Sequence, residues 1–391
     1  MREAKSRIRR ITGSQCLKTR ELWESVFSED SAEFTEYYYR HKMVENIGYV
    51  WGEAPYEAML FLTPYSVMIG ESRELLSYIV GVATRPEYRH RGRMRSLLLN
   101  ALREERDGGK PFVFLMPADP AIYTPFGFRY IYDRPEWEAA HPGWEEKVLR
   151  PLCGTGEKIP VPVGEDFLEL QSLSGMPERE RERLCSRVAE FANEELFRTK
   201  QIYVSRDTAY YLRQIKESRA QRGDVFVWLK GEEPEGFFLY AAEEEEAYFQ
   251  DIILSKELWE KGAFFRVKGQ KPIIMGRILD PGAMLARIKG RESWQLRLHL
   301  EDDFLTENSG DYLWESSPEG GRLLKASSGK GLLQAAEQRN ELALSTEELT
   351  ELVFGRARPA QWLREGRISE ETAEKLEMLS PLREISLNEI V

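Results

Sequence analysis

Between Ile79 and Leu98 the sequence reads IVGVATRPEYRHRGRMRSLL: an apolar strand pattern ending at Val82, a polar turn, then Arg-His-Arg-Gly at the head of a helix. Backbone amides converge where a strand turns into a helix, and the helix dipole adds positive potential at the same point. Such a turn can cradle a pyrophosphate. Gly92 lets the backbone approach a phosphate closely, where a Cβ would intrude. Arg89, His90, Arg91, Arg93 and Arg95 put five basic or potentially basic residues within seven positions. With 55 Lys and Arg against 66 Asp and Glu, the chain carries a net charge of -11, so this cluster is a local reversal. The other reading is a solvated Arg-rich turn ahead of an amphipathic helix, and a lone glycine-containing turn does not separate the two.

The elements around this turn follow from periodicity. Arg93 to Arg106 predicts a helix with Met94, Leu97, Leu98, Ala101 and Leu102 on one face, stopped by Gly108 and Gly109. Leu75 to Val82 reads as the strand before it and Phe112 to Met116 as a buried strand after it. Strand, helix, strand implies a parallel pair joined by a crossover. Upstream, Glu21 to Phe27 and Phe34 to His41 read as helices, and Glu53 to Tyr65 holds a strand candidate, AMLFLTPY.

The motif Arg89-x-x-Gly92-x-Met94 resembles the coenzyme A signature, Arg/Gln-x-x-Gly-x-Gly/Ala, of the GNAT superfamily of N-acetyltransferases. It departs at Met94, where a small residue is usual; the Eis (enhanced intracellular survival) subfamily tolerates a large apolar residue there. AIYTPFGFRY, Ala121 to Tyr130, is similar to the Eis-like block Ile-Tyr-x-x-Phe-Gly-Tyr/Phe, whose Tyr is the proposed general acid, and the match falls on Tyr123. Two readings of Tyr123 stand on the residues alone. A Tyr just past the strand that follows the coenzyme helix can face a departing sulfur; alternatively, with Phe126, Gly127 and Phe128, it closes an aromatic turn over a core.

The resemblance extends over essentially the whole chain and implies an α/β (α+β) fold of tandem GNAT-like domains followed by a sterol-carrier-like domain. The expected divisions are 1–145 (catalytic), 146–271 (a second GNAT-like domain without the coenzyme signature) and 272–391 (carrier-like, with the C-terminal tail). IIMGRILD, Ile273 to Asp280, resembles the opening strand of the carrier-like unit. The implied co-substrate is acetyl-CoA, held by Val80, Val82, Arg89, His90, Arg91, Gly92, Met94 and Arg95. The implied reaction is direct attack by an acceptor amine, with Tyr123 as acid and the terminal carboxylate, here that of Val391, as base. Apolar neighbours Leu387 and Ile390 would help to bury that carboxylate and raise its pKa, although an ordinary frayed tail is the other reading. Glu389 is an alternative holder of a cationic substrate. Trp23, Phe27 and Glu33 lie where the first helices of such a domain border the acceptor, a polyamine-like or aminoglycoside-like cation or a Lys side chain. The resemblance also implies a homo-oligomer, typically a hexamer.

Composition bounds the rest. A length of 391 residues suggests two or three domains, and 42% hydrophobic with 11% aromatic residues supports real cores. The acidic balance argues against a nucleic-acid partner, and no run approaches the roughly 18 apolar residues of a membrane span. MREAKSRIRRITG is basic but lacks the apolar stretch of a secretory signal, so a soluble cytoplasmic chain is expected. Cys16, Cys153 and Cys185 are odd in number, and His41, His90, His141 and His299 are scattered, so no metal site is expected. The alternative function, from another class, is a non-catalytic lipid or small-molecule binding protein acting through the carrier-like domain.

Overall fold

The structure, a computed structural model, describes residues 7–243, 246–262, 264–326 and 341–387. Four antiparallel strands lead: β1 (Ile8–Thr12), β2 (Ile47–Trp51), β3 (Ala58–Ile69) and β4 (Ser72–Thr84). Between β1 and β2 lie two short helices, α1 (Arg20–Val26) and α2 (Ala32–Tyr37). Helix α3 (Arg93–Asp107) then crosses over to β5 (Phe112–Leu115), parallel to β4 as expected from the strand–helix–strand order. Its apolar face, Leu97, Leu98, Ala101 and Leu102, is fully buried against Ile79, Val113 and Leu115. Alternation along β5 sends Val113 and Leu115 to that face and Phe112 and Phe114 to the opposite core.

The strand Phe265–Ile278 does something the sequence reading does not anticipate. It crosses the expected boundary at 271/272 and fills the place between β5 and β6 (Arg129–Ala139), antiparallel to both. Ile273–Ile278, expected to open the third unit, therefore completes the sheet of the first. An apolar run reveals that a strand is buried but not which strands it joins. Among the described residues, fourteen strands join into one sheet through this insertion.

The second unit carries strands Lys158–Val163, Asp166–Ser172, Asp224–Lys230, Glu233–Glu243 and Glu246–Leu254 beneath the helices Glu178–Thr199 and Thr208–Ala220. A buried ion pair, Arg206 to Asp251 at 2.6 Å, braces its interior. Another, Lys42 to Glu217 at 2.8 Å, ties the segment after α2 to the helix Thr208–Ala220.

The third unit is a four-stranded sheet, in spatial order Gly320–Lys325, Gly310–Ser317, Trp294–Glu301 and Glu341–Ser345, covered by helices Thr346–Val353, Pro359–Arg364 and Glu370–Glu377. Trp294, Leu296, Leu298 and Leu300 point inward while Gln295 and His299 face water, as the alternation predicts. Trp294 and Trp314 meet edge-to-face at 5.1 Å within that core. The chain then returns to the first unit. Ile385–Ser386 pairs in parallel with Ile202–Val204, which pairs antiparallel with β3 at Val67–Ile69. Leu387 is fully buried; Glu389 and Val391 lie outside the described residues. Among the described residues, no helix is long and apolar enough to cross a membrane.

Candidate active site

The site starts from a defect in β4. Met59 pairs with Ala83 and Phe61 with Val80, so Leu60 alone faces both Gly81 and Val82. Gly81 adopts φ +59°, the left-handed first residue of a glycine bulge. This bulge re-aims the backbone of Val80–Val82 just past Tyr78, which pairs with Phe114 of β5. Val80 is buried and Val82 half-buried there. A re-aimed strand end is a place where backbone N–H groups can meet a ligand oxygen.

The turn into α3 forms the second wall. His90 at φ +59° and Gly92 at φ +73° are both left-handed, flanking Arg91, which curls the backbone into a concave nest of amides. No side chain caps the helix start, so its first-turn N–H groups keep their donor capacity. A Cβ on Gly92 would meet nothing within 4 Å; the glycine answers the backbone angle, and the space above it is open. Arg89, His90 and Arg91 are exposed around this turn, and Arg89 Nε donates to the Thr84 carbonyl at 3.2 Å. Open space, uncapped amides and exposed cations suit the phosphates of a coenzyme.

Two of the five basic residues point elsewhere. Arg93 forms a half-buried ion pair with Glu57 and lies over the Tyr88 ring at 4.3 Å. Arg95, expected among the coenzyme ligands, lies over Phe304 at 4.8 Å and Phe126 at 5.8 Å, on the side of the third unit. Met94 packs half-buried against the core under α3.

Tyr123 ends a four-residue helical turn, Pro120–Tyr123, whose start is fixed by the Asp119 carboxylate accepting from the Ala121 amide at 2.9 Å. It is buried in the core cluster that holds Ile79 of β4, Leu97 and Leu98 of α3, and Leu115 of β5. Its ring meets Phe128 edge-to-face at 5.8 Å, so it does help to close an aromatic core. Burial alone pushes its phenol up to about 12, which keeps the proton on at neutral pH, the state a general acid needs.

Across the bulge sit Trp23 and Phe27, with rings 4.8 Å apart. Trp23 packs directly on Gly81: a Cβ there would come within 2.6 Å of the indole. The indole Nε1–H donates to Asp30 Oδ2 at 2.8 Å, and burial raises the Asp30 pKa. Glu33 is exposed in the first turn of α2. Sequence reasoning passed over Asp30 and Gly81. An isolated glycine inside an apolar strand pattern is a bulge signal and could have exposed the latter.

Residues 7–131 match the family described as acetyltransferase (GNAT) domain, and residues 283–385 match the sterol carrier protein domain. No curated protein matches the sequence. Among solved structures, a conserved protein from Enterococcus faecalis V583, described as a probable N-acyltransferase, superposes with a TM-score of 0.72 at 14% identity, covering 96% of this chain and 97% of its own. A GCN5-related N-acetyltransferase from Anabaena variabilis ATCC 29413 gives 0.67 at 15% identity over 95% and 97%. Eis1 from Mycobacterium abscessus gives 0.65 at 13% identity over 95% and 96%. The likeness in fold thus spans the three units, not the first alone.

Proposed function

We propose that this chain, a GNAT-type N-acetyltransferase of Eis-like architecture, transfers the acetyl group of acetyl-CoA to a primary amine on a cationic acceptor. The observation that carries the proposal is the glycine bulge at Gly81, just past the Tyr78–Phe114 pairing of β4 with β5, together with the uncapped amide nest of α3.

In this reading the coenzyme pyrophosphate rests on the Arg89–Gly92 turn, and the thioester enters between β4 and β5. The acceptor ammonium loses a proton to the base, its nitrogen forms a bond to the thioester carbon, and as the carbon–sulfur bond breaks the nitrogen loses a second proton to solvent. A backbone N–H of the Val80–Val82 segment stabilises the developing oxyanion. Tyr123 gives its proton to the leaving thiolate and regains one from solvent. No covalent enzyme intermediate is required, which suits a chain whose buried Cys16 and Cys185 have thiol pKa values raised by burial to about 11 and about 12.

The base is proposed to be the Val391 carboxylate. Its support is the Eis-like resemblance and the direction of Ile385–Ser386, which runs parallel to β4, toward the end bearing the bulge. On the acceptor side, the Asp30 carboxylate beside Trp23 supports a cationic group, with Phe27 as an apolar wall and Glu33 and Glu389 as further acidic candidates. A homo-oligomeric working unit rests on the resemblance.

Free-thiol release from acetyl-CoA, followed across a panel of diamines, aminoglycosides and Lys peptides, tests the acid. Tyr123→Phe should lower amine-dependent release at least tenfold, about 1.4 kcal/mol of transition-state stabilisation. Undiminished release would remove Tyr123 from the mechanism.

A further inference from the structure

Arg277 lies near the end of the inserted strand and Asp302 in the third unit; both side chains are only 1% exposed. Arg277 Nη2 donates to Asp302 Oδ1 at 2.6 Å and Oδ2 at 2.8 Å. Its Nη1 donates at 2.6 Å to the carbonyl of Phe126, three residues after Tyr123. The guanidinium lies close against that turn: Gly127 has φ +82°, and a Cβ on it would fall 1.6 Å from Arg277 Nη1. The turn is short, with the Gly127 amide donating to Thr124 O at 3.1 Å and the Phe128 amide to Tyr123 O at 3.4 Å. A displacement of the Phe126 carbonyl is therefore passed directly to Tyr123.

Asp302 is itself held from all sides. It accepts from the amides of Phe304 and Leu305 at 3.0 and 2.7 Å, from Asn308 Nδ2 at 3.1 Å and from Thr346 Oγ1 at 3.0 Å. The loop it organises reaches both walls of the site. Phe304 packs on Phe126 with ring centroids 4.9 Å apart and under Arg95 of α3, and Leu305 is fully buried in the cluster that holds Tyr123. Farther along α3, Arg103 pairs with Glu307 at 2.7 Å, and Arg106 Nε donates to Asn308 Oδ1 at 2.8 Å.

We propose that Arg277 and Asp302 are positioning residues for acetyl transfer, through which the carrier-like unit sets the place of the Tyr123 phenol relative to the coenzyme helix. The inference rests on Tyr123 being the acid of the preceding section. A charge pair this deeply buried costs desolvation that an apolar pair would avoid. A guanidinium, though, can hold a carboxylate and a carbonyl in fixed directions at once, as no apolar side chain can.

The test is kinetic. Asp302→Asn leaves the Arg277 guanidinium without its counter-charge, and the pair Arg277→Met with Asp302→Asn removes both charges together, which keeps the experiment informative if the single variant fails to fold. Thermal melting certifies the fold, and kcat and the acetyl-CoA KM are measured in wild-type and Tyr123→Phe backgrounds. Expected is a fall in kcat of about tenfold with the KM changed by less than about twofold, and no further fall when Tyr123 is already Phe. A folded variant with wild-type kcat overturns the proposal, as does a loss of equal size in both backgrounds, which would mark the pair as structural. A Tyr123→Phe enzyme as active as wild type also overturns it, and separates failure of the acid from failure of the clasp.

Discussion

Trp23 lies on Gly81, so closely that a β-carbon added to the glycine would sit 2.6 Å from the indole ring. The contact joins α1 to the one distorted point of β4 and depends on φ +59° at Gly81. Gly81→Ala should cost about 1–3 kcal/mol, from left-handed strain and from overpacking against Trp23. Because the same bulge aims the Val80–Val82 backbone, kcat should fall more than the melting temperature alone suggests. A folded Gly81→Ala enzyme with unchanged kcat would separate the bulge from catalysis.

The pH dependence follows from Tyr123. Its folded-state pKa, raised to about 12 by burial, lies above the ordinary phenol value of 10.0. A raised value means that the contribution of the neutral phenol to stability is fully present below about pH 10 and is lost as pH rises through 12, at up to about 1.4 kcal/mol per unit. The phenol therefore stays protonated across the working range. The kcat/KM profile should rise as the acceptor amine deprotonates and show no descending limb from Tyr123 below about pH 10. A descending limb near pH 8 that disappears in Tyr123→Phe would contradict this.

Gly92 sits in open space but at φ +73°. Gly92→Val should cost about 1–2 kcal/mol of backbone strain and collapse the amide nest. Calorimetric affinity for acetyl-CoA should drop at least tenfold while the α3 core, which the substitution does not touch, keeps the protein folded. Unaltered affinity would place the phosphates elsewhere.

Lys42 and Glu217 are each less than a tenth exposed, and Glu217 also accepts from the Tyr37 hydroxyl at 3.3 Å. Lys42→Met strands the carboxylate between the first and second units and should destabilise the chain by about 3–5 kcal/mol. Urea denaturation reads the change. Lys42→Met combined with Glu217→Gln should recover much of the loss; a double variant as unstable as the single one would show that packing, not charge, dominates there.

What the sequence makes legible is local. The crossover helix is expected at Arg93–Arg106 and found at Arg93–Asp107; Phe112–Met116 is found as Phe112–Leu115. Each has a strong apolar period or a clear stop signal. Helix Glu370–Glu377 and strand β1 escape because they are short and largely polar. The inserted strand Phe265–Ile278 and the Arg277–Asp302 pair escape for another reason. Both are long-range pairings, and nothing within IIMGRILD says that Arg277 will meet a carboxylate 25 residues on or a carbonyl 151 residues back. At the turn expected to hold the coenzyme, Arg89, His90 and Arg91 are exposed, whereas Arg95 lies over the ring of Phe304, which a distant segment supplies.

The most direct measurement is a quantitative balance of both products: free coenzyme A thiol and acetylated amine, followed with purified protein, acetyl-CoA and the amine panel. The account expects the two to appear in equal amounts, at a rate that depends on the amine and vanishes without it. Tight acetyl-CoA binding that is lost in Gly92→Val should accompany turnover. Absence of thiol release with every amine, together with no calorimetric binding of acetyl-CoA, would contradict it.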